Sequence, residues 1–217
     1  MSFGVIFDWD GVVVDSSAQH ERAWELLAAE RNLPLPEGHF KRGFGKKNEV
    51  IIPDLGWATE AAAVAELAAR KEALYRERVR ADGIVALPGV RELLTSLRDA
   101  GVPCAVGSST PRENLDALFE MLRLDGFFAA VVSGDDVTHG KPAPDIFLLA
   151  AERIGLSPER CVVIEDAFVG IEAAHAGGMK CVAVATTNPL DALGAADLAV
   201  RSLEGLDAER LRVVIDG

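Results

Sequence analysis

The chain has 217 residues, enough for one large domain or for a core carrying an insertion, and although 49% of them are apolar, no run approaches the roughly 18 consecutive apolar residues that a membrane span needs. With 34 acidic residues against 22 basic the formal charge is −12, and no basic patch or stripe suggests a nucleic-acid surface; an anionic small molecule would need a local cation to offset that field. Cys104, Cys161 and Cys181 form no Cys-x-x-Cys pair, so they read as reduced, buried thiols rather than as zinc ligands or disulfides, and with no signal-like segment at the start the expected location is the cytoplasm.

The first predicted element is the apolar run "FGVIF", Phe3 to Phe7, which reads as a buried strand. It runs directly into two aspartates, Asp8 and Asp10. From about residue 15 to 82 the pattern is helical throughout: "AQHERAWELLAAER" and "TEAAAVAELAARKEALYRERV" are long amphipathic segments with no strand between them. Between those helices, "GFG" (Gly43 to Gly45) lacks the third glycine and the preceding strand of a dinucleotide-binding turn, and reads as a loop.

Beyond residue 82 the rhythm changes. Helices over Gly89 to Ala100, Arg112 to Leu122, Pro144 to Ile154 and Phe168 to Ala176 alternate with the strands "PCAVG", "AAVVS", "CVVIE" and "CVAVA". Such alternation predicts an α/β fold, a doubly wound parallel Rossmann-like sheet. The expected organisation is a core of residues 1–14 and 83–217, with a small all-helical cap domain, 15–82, inserted after the first strand. No internal repeat or low-complexity segment is present.

In an open parallel sheet, ligands bind beyond the carboxyl ends of the strands, and the residues expected there are of a consistent kind. Asp8 and Asp10 follow the first strand, Ser108, Ser109 and Thr110 follow "PCAVG", and Glu165 and Asp166 close "CVVIE", while the loop after "AAVVS" leads to Lys141. Four carboxylates on one rim repel one another: two unit charges 4 Å apart cost about 4 kcal/mol at an effective dielectric near 20. A hard cation bound through a few carboxylates, water and phosphate oxygen, as magnesium is bound, would relieve this. "SSTPRE" has the form of a capping box, with Thr110 as N-cap, Pro111 at the first helical position and Glu113 three residues after the cap. The start of its helix, with Ser108 before it and Lys141 nearby, suits a phosphoryl group.

These residues resemble the haloacid dehalogenase superfamily of phosphotransferases. The resemblance rests on "DWDGV" (Asp8 to Val12), Ser108, Lys141 in "GKPAPDIF", and Glu165-Asp166 in "EDAFVGIEAA", in the family's order and across almost the whole chain. The helical insertion resembles the cap of the subfamily that contains β-phosphoglucomutase and small-molecule phosphatases, and "DGVVVDSSAQHERAW" is similar to the mutase segment through His20 and Trp24. The resemblance implies that Asp8 is the nucleophile, forming an aspartyl-phosphate. It implies that Asp10 is general acid and then general base, in an environment, supplied by cap closure, that raises its pKa. Asp8, the Asp10 carbonyl and Asp166 would hold Mg2+ with Glu165 as an accessory ligand, and Ser108, the Ser109 N–H and Lys141 would grip the phosphoryl oxygens. Gly11, His20, Lys46 and Lys71 complete the expected substrate-binding set.

The implied activity is magnesium-dependent hydrolysis of a small phosphorylated metabolite such as a sugar phosphate, with no nucleic-acid or membrane partner and with a monomer compatible with the sequence. A β-phosphoglucomutase-type transfer to a sugar hydroxyl is the alternative. Against it, Lys46 stands where the mutase has arginine and Asn48-Glu49 replace an Asp-Ser, a glutamate that would repel a second sugar phosphate. A dehalogenase needs neither Asp10 nor a metal, and a receiver-like phospho-acceptor domain has different spacing and no helical insertion. Bland readings stand beside the functional ones: Asp8 and Asp10 as turn residues, Ser108 and Thr110 as helix caps, Lys46 and Lys47 as a solvated pair, His20 as a helix-face residue beside Trp24. Trp9, between the aspartates, is placed at the entrance to the site.

Overall fold

The computed structural model describes residues 2–43 and 46–217, so that Phe44 and Gly45 of the "GFG" loop lie outside the described residues. The chain forms two compact units, one built from the residues up to Asp15 together with Val85–Gly217, the other from Ser16–Ile84.

The larger unit is an α/β layer structure. Among its described residues β1 (Gly4–Phe7), β2 (Cys104–Gly107), β3 (Ala130–Val132), β4 (Cys161–Glu165), β5 (Lys180–Val184) and β6 (Leu198–Val200) form one parallel sheet in the order β3-β2-β1-β4-β5-β6. β1 lies between β2 and β4, with Phe7 opposite Val106 on one side and Ile164 on the other. Every residue of β1, β2 and β4 is buried, which is why these strands read as continuous apolar runs rather than alternating ones. Strand order reverses at β1, leaving a crevice at the carboxyl end of the central strands.

Helices cover the sheet. α5 (Val90–Asp99) and α6 (Arg112–Leu122) flank β2 in sequence, α7 (Asp145–Arg153) packs on β1, β2 and β3, α8 (Phe168–Ala176) packs on β4 and β5, and α9 (Ala208–Asp216) packs on β4 and α5. One cluster joins Ile6, Ala105, Val163 and Ala183 from the sheet to Phe147 and Ala150 of α7 and Ile171 of α8. Phe147 is fully buried there, and truncation of such a residue to alanine costs about 3–5 kcal/mol. Two elements have no counterpart in the sequence reading. β6 is a half-buried strand of three residues at the sheet edge, too short to show a period, and α9 lies beyond the last predicted strand.

The helical unit contains α1 (Ser17–Arg31), α2 (His39–Gly43), α3 (Asn48–Asp54) and α4 (Ala61–Asp82). α1 ends at Asn32, whose left-handed conformation (φ 51°) turns its N–H back onto the carbonyls of Ala28 and Ala29. α4 packs against α1 and α3 through a stripe at helical spacing, Val64, Leu67, Ala68, Lys71, Glu72, Tyr75 and Val79, all buried. The stripe is apolar except in its middle. Outside it, Arg70 of α4 clamps Glu30 of α1 with two hydrogen bonds of 2.9 and 2.6 Å.

Candidate active site

The site begins one residue past β1. The Asp8 N–H donates to the Ile164 carbonyl at 2.9 Å, continuing the ladder with β4, so the carboxylate is carried on rigid backbone. The chain then curls: the Trp9 carbonyl accepts the N–H groups of Val12, Val13 and Val14, and Gly11 adopts φ +84°. A Cβ on Gly11 would lie 1.9 Å from Asp166 Oδ2, so glycine is required both by conformation and by the close approach of the carboxylate. Trp9 does not border an entrance. It is fully buried, with its ring centroid 4.7 Å from that of Phe119 and 6.3 Å from that of Phe128, because its large apolar surface gains more from that cluster than from solvent.

Lys141 is buried, its Nζ 2.8 Å from Asp8 Oδ1 and 2.6 Å from Glu165 Oε1, above the ring of Phe147. The second oxygen of Glu165 accepts the backbone N–H groups of Asp166 and Ala167, each at 2.6 Å, at the start of α8. Gly170 makes room for this carboxylate, since a Cβ there would sit 1.8 Å from Glu165 Oε1. Asp166 follows at once. Its Oδ2 accepts the Thr187 hydroxyl, its carbonyl accepts Asn188 Nδ2 at 3.0 Å, and its buried Oδ1 has no hydrogen-bond partner among the described residues.

The hydroxyl cluster lies in the turn after β2. The Ser108 N–H donates to the Val132 carbonyl at 3.0 Å, and Ser108 Oγ accepts the Thr110 N–H at 3.1 Å. Ser109 Oγ is buried without a hydrogen-bond partner among the described residues. Thr110 is not the cap of α6 that the sequence suggests. The residue before α6 is Pro111, and the Thr110 hydroxyl donates to Asp10 Oδ2, a charge-assisted hydrogen bond.

Burial dominates the electrostatics. It pushes the Asp8 carboxyl up to about 7, against the pull of Lys141 and with a further push from Glu165 and Asp10. It raises Asp166 well above the usual carboxylate range, with Glu165 and Asp8 adding to the effect. Lys141 is held above its ordinary value because Asp8 and Glu165 outweigh its own desolvation. Three carboxyl groups thus face one ammonium. Asp8, Glu165 and Asp166 each place an oxygen within 4.8 Å of the others, and these hard donors, with the unsatisfied Asp166 Oδ1, fit a small divalent cation.

His20, Lys46 and Lys71 belong to the helical unit, where two of them meet. Lys71 Nζ lies 2.7 Å from His20 Nδ1 and 2.8 Å from Glu72 Oε1, and Glu72 also accepts Asn48 Nδ2 at 2.7 Å. The His20 ring stacks on Tyr75 at 3.8 Å, and Lys71 lies over the Trp24 ring. Burial would raise the Glu72 carboxyl, but Lys71, His20 and the Asn48 hydrogen bond outweigh it and hold it at about 2. Lys46 is 3.7 Å from Asp54. Sequence reasoning missed Glu72, Thr187 and Asn188. For Glu72 a signal existed, because positions 64, 67, 68, 71, 72 and 75 share one helical stripe.

A family model described as haloacid dehalogenase-like hydrolase matches residues 4–178. The chain is 36% identical over 98% of its length to the chloroplastic 5-amino-6-(5-phospho-D-ribitylamino)uracil phosphatase of Arabidopsis thaliana, of which it spans 58%. It is 32% identical to β-phosphoglucomutase of Bacillus subtilis, with 95% of this chain and 92% of that protein covered. Among solved structures, a family IA, variant 3 HAD hydrolase from Entamoeba histolytica superposes with a TM-score of 0.90 at 26% identity, covering both chains completely.

Proposed function

Because the chain belongs to the haloacid dehalogenase-like hydrolase family and is therefore an enzyme, we propose that it hydrolyses the phosphate monoester of a small metabolite, such as a sugar phosphate, through an aspartyl-phosphate on Asp8. The observation that carries this reading is the buried Asp8–Lys141–Glu165 array with Asp166 beside it. A carboxylate seated on ordered backbone at the tip of the central strand is a suitable nucleophile, and a buried ammonium 2.8 Å away supports a phosphoryl oxygen beside it.

In the first step an Asp8 oxygen attacks phosphorus, the bond from phosphorus to the ester oxygen breaks, and Asp10 gives its proton to the departing alkoxide. In the second, Asp10 takes a proton from water as the water oxygen attacks phosphorus, the acyl-phosphate bond breaks, and inorganic phosphate leaves with Asp8 restored. Lys141, the Ser108 hydroxyl and the Ser109 N–H hold the phosphoryl oxygens in both steps, and Gly11 lets the Asp10 backbone approach the site. A magnesium ion held by Asp8, the Asp10 carbonyl and Asp166, with Glu165 as an accessory, would offset the charge of phosphate and carboxylates when bound. The Thr110 hydroxyl, on Asp10 Oδ2, orients the proton-transferring carboxyl.

A phosphomutase reading is favoured by the Bacillus subtilis relative. A mutase must retain a doubly phosphorylated intermediate, which calls for uncompensated positive charge, whereas Lys71 is engaged by Glu72 and Lys46 lies near Asp54. This supports water as the acceptor. Three buried thiols fit a reducing compartment such as the cytoplasm, and no described helix is long and apolar enough to cross a membrane. The test is a phosphate-release screen over metabolite phosphates with magnesium, run beside Asp8→Asn. Release that depends on Asp8 supports hydrolysis. Isomerised hexose phosphate without net phosphate release would replace it with the mutase.

A further inference from the structure

The loop after β5 carries no recognised motif, yet it makes two contacts to one residue of the site. The Thr187 hydroxyl donates to Asp166 Oδ2, and Asn188 Nδ2 donates to the Asp166 carbonyl at 3.0 Å. We propose that Thr187 is a positioning residue which selects the oxygen that Asp166 offers to a divalent cation, and that Asn188 anchors the loop from which it does so. The inference rests on the reading of Asp8 and Asp166 as cation ligands.

A carboxylate has two equivalent oxygens, and rotation about its last bond exchanges them. In Asp166 they are made unequal. Oδ2 is covered by the Thr187 hydroxyl on one side and by the turn at Gly11 on another, where even a Cβ would come within 1.9 Å. Oδ1 is buried and has no partner among the described residues, although it lies in the carboxylate group whose members approach within 4.8 Å. A buried, unsatisfied carboxylate oxygen is costly to keep, and here it is the oxygen of Asp166 that no described residue engages. Threonine suits the task because its branched Cβ restricts χ1, so its single proton is aimed rather than free to sample other acceptors. The Asn188 contact to the backbone of Asp166 keeps the hydroxyl within reach.

The test is Mn2+ binding to the substrate-free protein, followed by the electron paramagnetic resonance of the free ion, so that no turnover enters the readout. Replacing an outer partner of a metal ligand typically weakens the metal by about 10- to 100-fold. Thr187→Val, which keeps the shape and loses the hydroxyl, is expected to weaken Mn2+ by that range, while Thr187→Ser retains near wild-type affinity. Should the valine variant fail to fold, Thr187→Ala is measured in its place against the same expectation. Unchanged Mn2+ affinity in the hydroxyl-free variant overturns the role of Thr187 while leaving the cation site intact. A wild-type protein that binds no Mn2+ overturns the cation site itself and this inference with it.

Discussion

Lys141 and Asp8 are joined by a buried ion pair of 2.8 Å, formed by side chains that the sheet brings together from opposite parts of the sequence. Replacing Lys141 by methionine would keep the stem and leave Asp8 and Glu165 facing each other without a cation. Breaking a buried pair in this way costs about 3–5 kcal/mol, and loss of one transition-state donor costs about 10²–10³ in rate. Lys141→Met is therefore expected to lower both the denaturation midpoint and kcat, and to regain part of its stability when magnesium is added. A variant with wild-type kcat would remove Lys141 from the phosphoryl site.

Asp8→Asn and Asp10→Asn should fail differently. On the proposed mechanism the first removes the nucleophile, so no phosphoenzyme is expected under any condition. On the same mechanism the second removes the proton donor and acceptor, for an expected loss of about 10²–10⁴, while substrates with good leaving groups are still expected to phosphorylate Asp8. Acid quenching followed by peptide mass spectrometry distinguishes the two, and a rate that stays flat across neutral pH would count against Asp10 as the proton carrier.

Glu72 links stability to pH. Its carboxyl titrates at about 2 in the folded chain against 4.5 ordinarily, so between those values the unfolded chain binds more protons and stability rises with pH. The contribution, on the order of 3 kcal/mol, is complete above about pH 5 and is lost as pH falls toward 2. Urea titrations of Glu72→Gln should show a deficit at neutral pH that closes as the solution is acidified. A deficit that does not change with pH would mean that shape rather than charge holds the Lys71–Glu72–Asn48 array.

The thiols should be inert in the native protein. Burial pushes Cys104 up to about 12 and Cys161 up to about 11, and raises Cys181 further still. An aromatic disulfide reagent at pH 8 is expected to label no cysteine until denaturant is added, and then all three. Rapid labelling of any of them in native buffer would refute this.

The gathering of carboxylates at the strand tips was legible because its signals are local: an apolar strand closed by Asp8 and Asp10, and a second closed by Glu165 and Asp166, mark strand tips wherever they occur. Spatial partnership was not. Thr110 reads as a helix cap in any linear view, and only the pairing of β1 with β2 brings Asp10 to its hydroxyl. Thr187 is an ordinary loop residue until β5 pairs with β4 and sets it against Asp166. Trp9 misled for the opposite reason: its position between two charged residues suggests exposure, while the turn at Gly11 swings its ring inward to Phe119.

The place of β1 between β2 and β4 has a consequence for biosynthesis. The strand that ends just before Asp8 is made ahead of its partners, which do not exist until residues 104–107 and 161–165 have been made. At about 5–20 residues per second the wait is roughly 5–20 s for β2 and roughly 8–32 s for β4, time in which the helices of Ser16–Ile84, whose contacts lie within that unit, can condense on their own. Asp8 is therefore synthesised long before Lys141, Glu165 and Asp166, and its surroundings assemble only after those later residues have emerged.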